Sequence, residues 1–315
     1  MDINKRQTRE RHYDGRMPRW LHRPIHAGKN LHDVTDILRR LGLNTVCESA
    51  KCPNRMECFS CRTATFMILG DTCTRSCNFC SVAKGEPRRV DEDEPVKVAE
   101  AAAAMDLEHV VVTSVTRDDM EDGGAAHFAA TVRALRERLP GATVEVLVPD
   151  FQGDKSALAS VMAEKPDVLN HNLETVKALY AQVRPQADYL RSLEVLRWAR
   201  KMEPGVMVKS GMMVGLGETG AQLRRAFVDL RESGCDMLTI GQYLRPSREQ
   251  IKVERFLSPG EFEALKREAE DAGISVVASA PFVRSSYRAR ELLDMSNEGI
   301  ASQVDHKVNE GGRIC

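Results

Sequence analysis

Six short apolar runs recur along the middle of the chain: "ATFMILGD" (64–71), "HVVVTSV" (109–115), "TVEVLVPD" (143–150), "DVLNHNLE" (167–174), "MVKSGMMVG" (207–215) and "MLTIGQYL" (237–244). Between them lie segments with the apolar spacing of a helix, such as "GGAAHFAATVRALRERL", "DKSALASVMAEK", "DYLRSLEVLRWARKM" and "TGAQLRRAFVDLRESG". Strands that alternate with helices, and are apolar enough to be covered on both faces, indicate parallel βαβ units. "SPGEFEALKREAEDAG" adds a sixth helix, with Ser258 as N-cap, Pro259 at the first helical position and Glu261 placed for a capping box. "ISVVASAPF" then supplies one more strand-like run. The expected fold class is α/β, as an open doubly wound sheet or an incomplete barrel. Residues 1–63 read as an irregular extension with one short helix around "LHDVTDILRRLGL", 64–290 as the repeat region, and 291–315 as a loosely held polar tail.

Either arrangement gathers functional residues at the C-terminal ends of the strands. Polar residues interrupt the apolar runs there: Thr113, Ser114, Arg117 and Asp118; Asp150; Asn170, His171, Asn172 and Glu174; Lys209 and Ser210; Gln242 and Tyr243. Any one of these is as readily a satisfied polar group or a helix cap. Recurrence at the same end of five strands favours a shared pocket.

The second constraint is cysteine. Seven of the nine cysteines fall between Cys47 and Cys80, and the next 154 residues contain none. Disulfide frameworks are spread through small secreted domains, so clustering points to metal. Cys73, Cys77 and Cys80 form C-x₃-C-x₂-C just after the first strand, and Cys47, Cys52 and Cys58 form C-x₄-C-x₅-C upstream. Structural zinc commonly uses paired cysteines separated by a longer loop, and two triplets do not divide into one tetrahedral site. A [4Fe–4S] cluster needs one terminal ligand for each iron, so three cysteines leave one iron open for chemistry.

C-x₃-C-x₂-C with an aromatic residue, Phe79, before its last cysteine is similar to the radical S-adenosylmethionine signature. Together with "CESAKCPNRMECF", "EPVKVAEA", "VVTSVTRDDMEDGGAAHFA", "LVPDF", "LNHNLETV", "MVGLGET", "LTIGQYLRPS" and "FVRSSYRA", it resembles the lipoyl synthases over residues 43–290. The resemblance implies a partial (β/α)6 TIM-like barrel, with N-terminal and C-terminal extensions carrying an auxiliary iron–sulfur cluster. Cys73, Cys77 and Cys80 would hold the cluster that binds S-adenosylmethionine and, once reduced, cleaves it to methionine and a 5′-deoxyadenosyl radical. Cys47, Cys52 and Cys58 would hold the auxiliary cluster. Its fourth ligand would be a serine of Arg284-Ser285-Ser286-Tyr287, Ser286 being favoured and Ser285 the alternative. An oxygen ligand is unusual beside thiolates, and suits a cluster that is dismantled to give up sulfide.

The implied reaction inserts two sulfur atoms, at C6 and C8, into an octanoyl chain amide-linked to a lysine of a carrier protein. The carrier would be the E2 component of a 2-oxoacid dehydrogenase or the glycine cleavage H protein. An electron donor such as ferredoxin or flavodoxin and an iron–sulfur carrier protein are further implied partners. Asn170, Asn172 and Glu174 suit ribose hydroxyls or the methionine ammonium, and Lys209 or Arg184 suits its carboxylate. "GMMVGLGET" lacks the G-K-[ST] of a phosphate loop. Thr116 stands where that family commonly has Asp. Cys61 reads as incidental despite its place three residues after Cys58, Cys235 as a small buried hydrophobe, and Cys315 as an adventitious thiol.

A net charge of −1 gives no global attraction to nucleic acid or to anionic membrane, and no apolar run is long enough to span a bilayer. "MDINKRQTRERHYDGRMPRW" lacks a signal-peptide core, so a solvated arm and a basic amphipathic address both fit it. Cytoplasmic location and a monomer are expected. Two competing readings are a radical enzyme acting on a free small molecule and a zinc-stabilised interaction module.

Overall fold

The computed structural model describes residues 17–22 and 29–298. Its strands are β1 (Asn44–Thr45), β2 (Thr65–Ile68), β3 (Thr72–Cys73), β4 (Ala83–Lys84), β5 (His109–Ser114), β6 (Thr143–Leu147), β7 (Val168–Asn170), β8 (Met207–Val214), β9 (Met237–Gln242) and β10 (Val276–Ser279). Its α-helices are α1 (Lys29–Leu41), α2 (Val46–Ser49), α3 (Arg55–Ser60), α4 (Glu94–Ala104), α5 (Ala125–Arg138) and α6 (Lys155–Met162). They continue as α7 (Tyr180–Val183), α8 (Tyr189–Met202), α9 (Gly220–Glu232), α10 (Pro259–Asp271) and α11 (Ala289–Glu298).

The main sheet runs β1-β2-β5-β6-β7-β8-β9-β10. Every neighbouring pair from β2 onward is parallel, and β1 joins β2 antiparallel. A doubly wound sheet reverses its strand order at a switch point. Here the order never reverses, so the chain winds one way around and stops before closing. The sheet is the incomplete barrel, and "ISVVASAPF" provides its last strand, β10.

Alternation along the strands sorts the two faces. Val110, Val112, Val144, Val146, Leu169, Val208, Leu238, Ile240 and Val277 all join the large apolar core with the surrounding helices. The register places Glu145, Asn170, Lys209, Thr239 and Gly241 on the opposite, inner face. Val168, Met237 and Val276 share that face nearer the strand starts, where they pack against Leu292 and Leu293 of α11. Arg290 adds an ion pair to Glu108 at 3.0 Å. The polar stretch expected as a loose tail from residue 291 therefore begins as a helix that plugs the lower end of the barrel; residues 299–315 lie outside the described residues. Two aspartates lock the same end. Asp167 accepts from the Val144 N–H and Arg136, and Asp236 accepts from the Val208 N–H and Arg200.

The capping box expected at α10 is present. The Ser258 N–H donates to Glu261 Oε2 at 2.8 Å, and Pro259 opens the helix. Ser258→Ala is expected to cost about 1 kcal/mol, read as a shift of the urea midpoint at unchanged slope. The N-terminal helix is α1, and "CESAKCPNRMEC" folds into α2 and α3, helices too short to leave an apolar period in the sequence.

Candidate active site

The loop carrying Cys73, Cys77 and Cys80 leaves β3 and returns as β4, and these two strands pair in parallel beside the C-terminal ends of the main sheet. Ser76 donates to Gln186 from its N–H and its hydroxyl, Asn78 donates to the carbonyls of Val183 and Gln182, and Asn78 and Cys80 accept from Ile251 and Gln250. Phe79 packs with Val183, Leu216 and Tyr243. On the inner side the Cys73 sulfur accepts two N–H groups, from Arg75 and Thr116, each at 3.4 Å. Burial pushes the Cys80 thiol up to about 11, and raises that of Cys77 against the opposing pull of Arg184. Such thiols stay protonated until a metal displaces the protons, so loading this loop releases protons.

Asn172, Glu174 and Arg184 converge beside Cys77. Glu174 lies in the left-handed region, with φ +66°, and is held there because its N–H donates to Gly211 and its carbonyl accepts from Met213. Asn172 Nδ2 donates to Glu174 Oε1 at 3.0 Å, and Arg184 donates to the Asn172 carbonyl at 2.9 Å while stacking on Tyr180. Burial raises the Glu174 carboxyl above the usual carboxylate range, and Arg184 partly offsets it. His171 is held down to about 4, first by burial and then by Arg184. Its neutral ring donates from Nδ1 to Val148, which leaves Nε2 as an acceptor.

Among the described residues, His171 Nε2, Asn172 Oδ1 and Arg184 Nε are buried without a hydrogen-bond partner. Buried polar atoms are normally paired, so three orphans beside one cysteine loop mark a place prepared for a polar ligand. Gly211 keeps that place open: a Cβ there would sit 2.6 Å from Asn172 Oδ1. The donor set suits an amino-acid and ribose ligand held against an iron that three thiolates leave open.

Asn170 and Lys209 are placed elsewhere. Lys209 Nζ donates to both oxygens of Glu145 at 2.9 Å, and Asn170 Nδ2 donates to Oε1 at 2.8 Å, all three residues being fully buried. The paired register puts them two residues nearer the strand starts than Asn172 and Gly211. Lys209 is thus occupied by an internal partner, and of the two cations only Arg184 faces Cys77. Gln242 and Tyr243 also leave the pocket, because they tie the 243–257 loop down through Val214, Arg255, Leu257 and Ile251.

The second cysteine triplet adjoins the first. Cys47 is on α2, Cys58 is on α3 and Cys52 lies between them; Ser81 Oγ donates to the Ser49 carbonyl at 2.9 Å, joining the two loops. Burial, followed by the neighbouring Cys52, raises the Cys47 thiol to about 11. The R-S-S-Y segment reaches this triplet from 230 residues away. Asn54 Nδ2 donates to the Phe282 carbonyl at 2.8 Å, and Tyr287 donates to Glu57 Oε1 at 2.6 Å. The Tyr287 N–H closes a turn onto Arg284, so Ser285 and Ser286 are its two central residues, bracketed by these anchors. Cys61 caps α3 at its C-terminal end, Cys235 is buried and donates to the Met237 carbonyl, and Cys315 lies outside the described residues. Sequence reasoning missed Asn54, Glu57, Arg75 and Gly241. A charged residue inside a C-x₃-C loop was the available signal for Arg75.

Gly241 sets how closely that segment approaches the barrel. A Cβ there would lie 2.1 Å from the Val283 carbonyl oxygen and 3.0 Å from an Arg284 guanidinium nitrogen. Backbone cannot yield as a flexible side chain does, so Gly241→Ala is expected to displace Ser285 and Ser286. The Tyr287–Glu57 and Asn54–Phe282 anchors should loosen with it. Faster hydrogen exchange at the Tyr287 amide, measured against wild type, checks this.

The radical SAM superfamily profile matches residues 67–230, and that of the N-terminal domain of lipoyl synthase matches residues 1–52. Among solved structures, methylornithine synthase superposes with a TM-score of 0.51 at 16% identity, covering 82% of this chain and 85% of that one. HydG, a maturase of the [FeFe]-hydrogenase, gives 0.52 at 12%, covering 76% and 64%. Barrel, cysteine loop and profile define a radical S-adenosylmethionine protein, which implies S-adenosylmethionine and a [4Fe–4S] cluster. Lipoyl synthases of Rubrobacter xylanophilus and Alkaliphilus metalliredigens are 52% and 51% identical, over 93% and 90% of this chain and 91% and 98% of theirs. That of Nitratidesulfovibrio vulgaris is 55% identical over 87% of this chain and 91% of its own length. The chain belongs to the lipoyl synthase family.

Proposed function

We propose that this chain inserts two sulfur atoms, at C6 and C8, into an octanoyl group carried on a lysine of a lipoyl carrier protein. The observation that carries the reading is the joining of two cysteine triplets by the Ser81–Ser49 bond, with the R-S-S-Y turn anchored on the far side of the second. Cys73, Cys77 and Cys80 hold the cluster beside which Asn172, Glu174 and Arg184 receive S-adenosylmethionine. Cys47, Cys52, Cys58 and one serine, Ser286 before Ser285, hold the auxiliary [4Fe–4S] cluster. When bound, these groups supply a primary carbon radical able to break an unactivated C–H bond and the sulfide that replaces the hydrogen.

The protein's own part is placement. Arg184, stacked on Tyr180, presents a fixed cation for a carboxylate. Glu174, held by its N–H bond to Gly211, and Asn172, which donates to Glu174, present a carboxylate and an amide oxygen to ammonium and hydroxyl donors. The apolar packing of Phe79 with Leu216 and Tyr243 keeps loose water from the loop. A carrier that is an E2 component or an H protein, a ferredoxin or flavodoxin donor and an iron–sulfur carrier complete the reading, with a cytoplasmic monomer. Among the described residues no helix is long and apolar enough to cross a membrane.

Anaerobic incubation with dithionite, S-adenosylmethionine and an octanoyl-lysyl carrier peptide tests it. Expected products are 5′-deoxyadenosine and a peptide heavier by two sulfurs less two hydrogens. Turnover of free octanoate without any on the peptide would refute the carrier substrate.

A further inference from the structure

Arg75 lies inside the C-x₃-C loop, yet its side chain points away from solvent and is 5% exposed. Nε donates to Asp118 Oδ2 at 2.6 Å, and Nη2 donates to Asp118 Oδ1 at 2.8 Å and to Asp150 Oδ1 at 2.6 Å. Asp150 is itself fully buried and takes a second cation, Arg191, at 3.4 Å. A planar guanidinium bonded to two carboxylates has little freedom left, and lysine cannot copy that fork. Thr74 extends the attachment: its N–H and Oγ both donate to the Thr116 carbonyl, and Oγ accepts from the Asp118 N–H. The loop is therefore fastened along residues 116–118, the turn that follows β5. Both N–H groups on the Cys73 sulfur come from these two fastened strands of chain, one from Arg75 and one from Thr116.

We infer that Arg75 and Thr74 are positioning residues whose joint hold on Asp118, Asp150 and Thr116 fixes the two N–H···S hydrogen bonds to Cys73 and so raises the reduction potential of the cluster on that loop. The inference rests on the reading of Cys73, Cys77 and Cys80 as cluster ligands. Its physical basis is that N–H dipoles aimed at a ligating sulfur favour the more negative, reduced cluster. A cluster loop held only by its three cysteines would let both N–H groups turn away. Neither the Arg75 guanidinium nor the Thr116 side chain is needed at the ligand itself, which accounts for a threonine at 116: its backbone does the holding.

Two charge-preserving variants test this, Arg75→Lys and Thr74→Val. Each is titrated with reductant while electron paramagnetic resonance follows the part of the reduced signal that responds to S-adenosylmethionine, with iron content measured alongside. In both, that signal is expected to need a more reducing potential at wild-type iron content, and 5′-deoxyadenosine release at fixed potential is expected to fall about tenfold. Thr74→Val removes the hydroxyl part of the hold, its bonds to Thr116 and Asp118, and leaves the guanidinium fork in place, so it carries the test alone if Arg75→Lys loses iron. Wild-type midpoints in the iron-loaded variants, or rate loss that only tracks iron loss, would overturn the inference. A wild-type protein with no reducible cluster would instead bring down the reading of the three cysteines.

Discussion

Replacing Cys73 with alanine is expected to abolish both 5′-deoxyadenosine release and lipoyl formation, while leaving the auxiliary site loaded. The proposed assignment takes three thiolates for a [4Fe–4S] cluster from this loop, and no further cysteine among the described residues stands on it. Cys47, Cys52 and Cys58 keep their own anchors, because α2, α3 and the Asn54–Phe282 and Tyr287–Glu57 bonds do not involve Cys73. About four of about eight irons should therefore remain after anaerobic reconstitution. The reverse variant, Cys52→Ala, is expected to keep 5′-deoxyadenosine release and lose lipoyl formation. Iron assay with separate chromatography of the two products checks both. Equal loss of both products in both variants would mean that the triplets act as one site.

The second large effect lies inside the barrel. Lys209 and Glu145 are both 0% exposed and bonded through two 2.9 Å contacts. Burial alone would raise the Glu145 carboxyl, but the Lys209 ammonium, helped by His109, overrides it and holds the group down to about 2. Lys209→Met strands a buried carboxylate and is expected to cost about 3–5 kcal/mol. Glu145→Met added to Lys209→Met is expected to recover most of that loss, since an apolar pair of similar volume often matches a buried ion pair. The sign of the pH dependence follows from the depressed value. The pair's contribution is present above the ordinary glutamate value of 4.5 and drains away as pH falls toward about 2. Urea midpoints across that window, measured on wild type and both variants, check it. A double variant that is stable but no longer binds S-adenosylmethionine would restore Lys209 to the cofactor pocket.

Much of the fold was legible because its signals are local. Apolar runs of strand length and helical spacing between them recur within a few tens of residues, and the Ser258 capping box is read within four. The cysteine triplets were legible for the same reason. Depth was not. Asn170 and Asn172 stand on one strand end, and only the register with β8 tells that the first faces Glu145 while the second reaches the open layer at Gly211. Lys209 looked like a pocket cation because a sequence carries no record of a partner 64 residues away. Glu57 and Tyr287, 230 residues apart, were hidden by the same distance. α11 escaped notice because its apolar residues, Leu292, Leu293 and Met295, are few among charged ones, and their purpose appears only when the barrel's lower end needs a plug.

On the proposed function, the second cysteine triplet holds the sulfur that is inserted. The most direct measurement is a single turnover with protein whose clusters were rebuilt from heavy-isotope sulfide, in buffer containing only ordinary sulfide, with an octanoyl-lysyl carrier peptide as substrate. Both sulfurs of the lipoyl product are expected to carry the heavy isotope, and Cys52→Ala protein is expected to form none. A product carrying ordinary sulfur from the buffer would contradict that assignment.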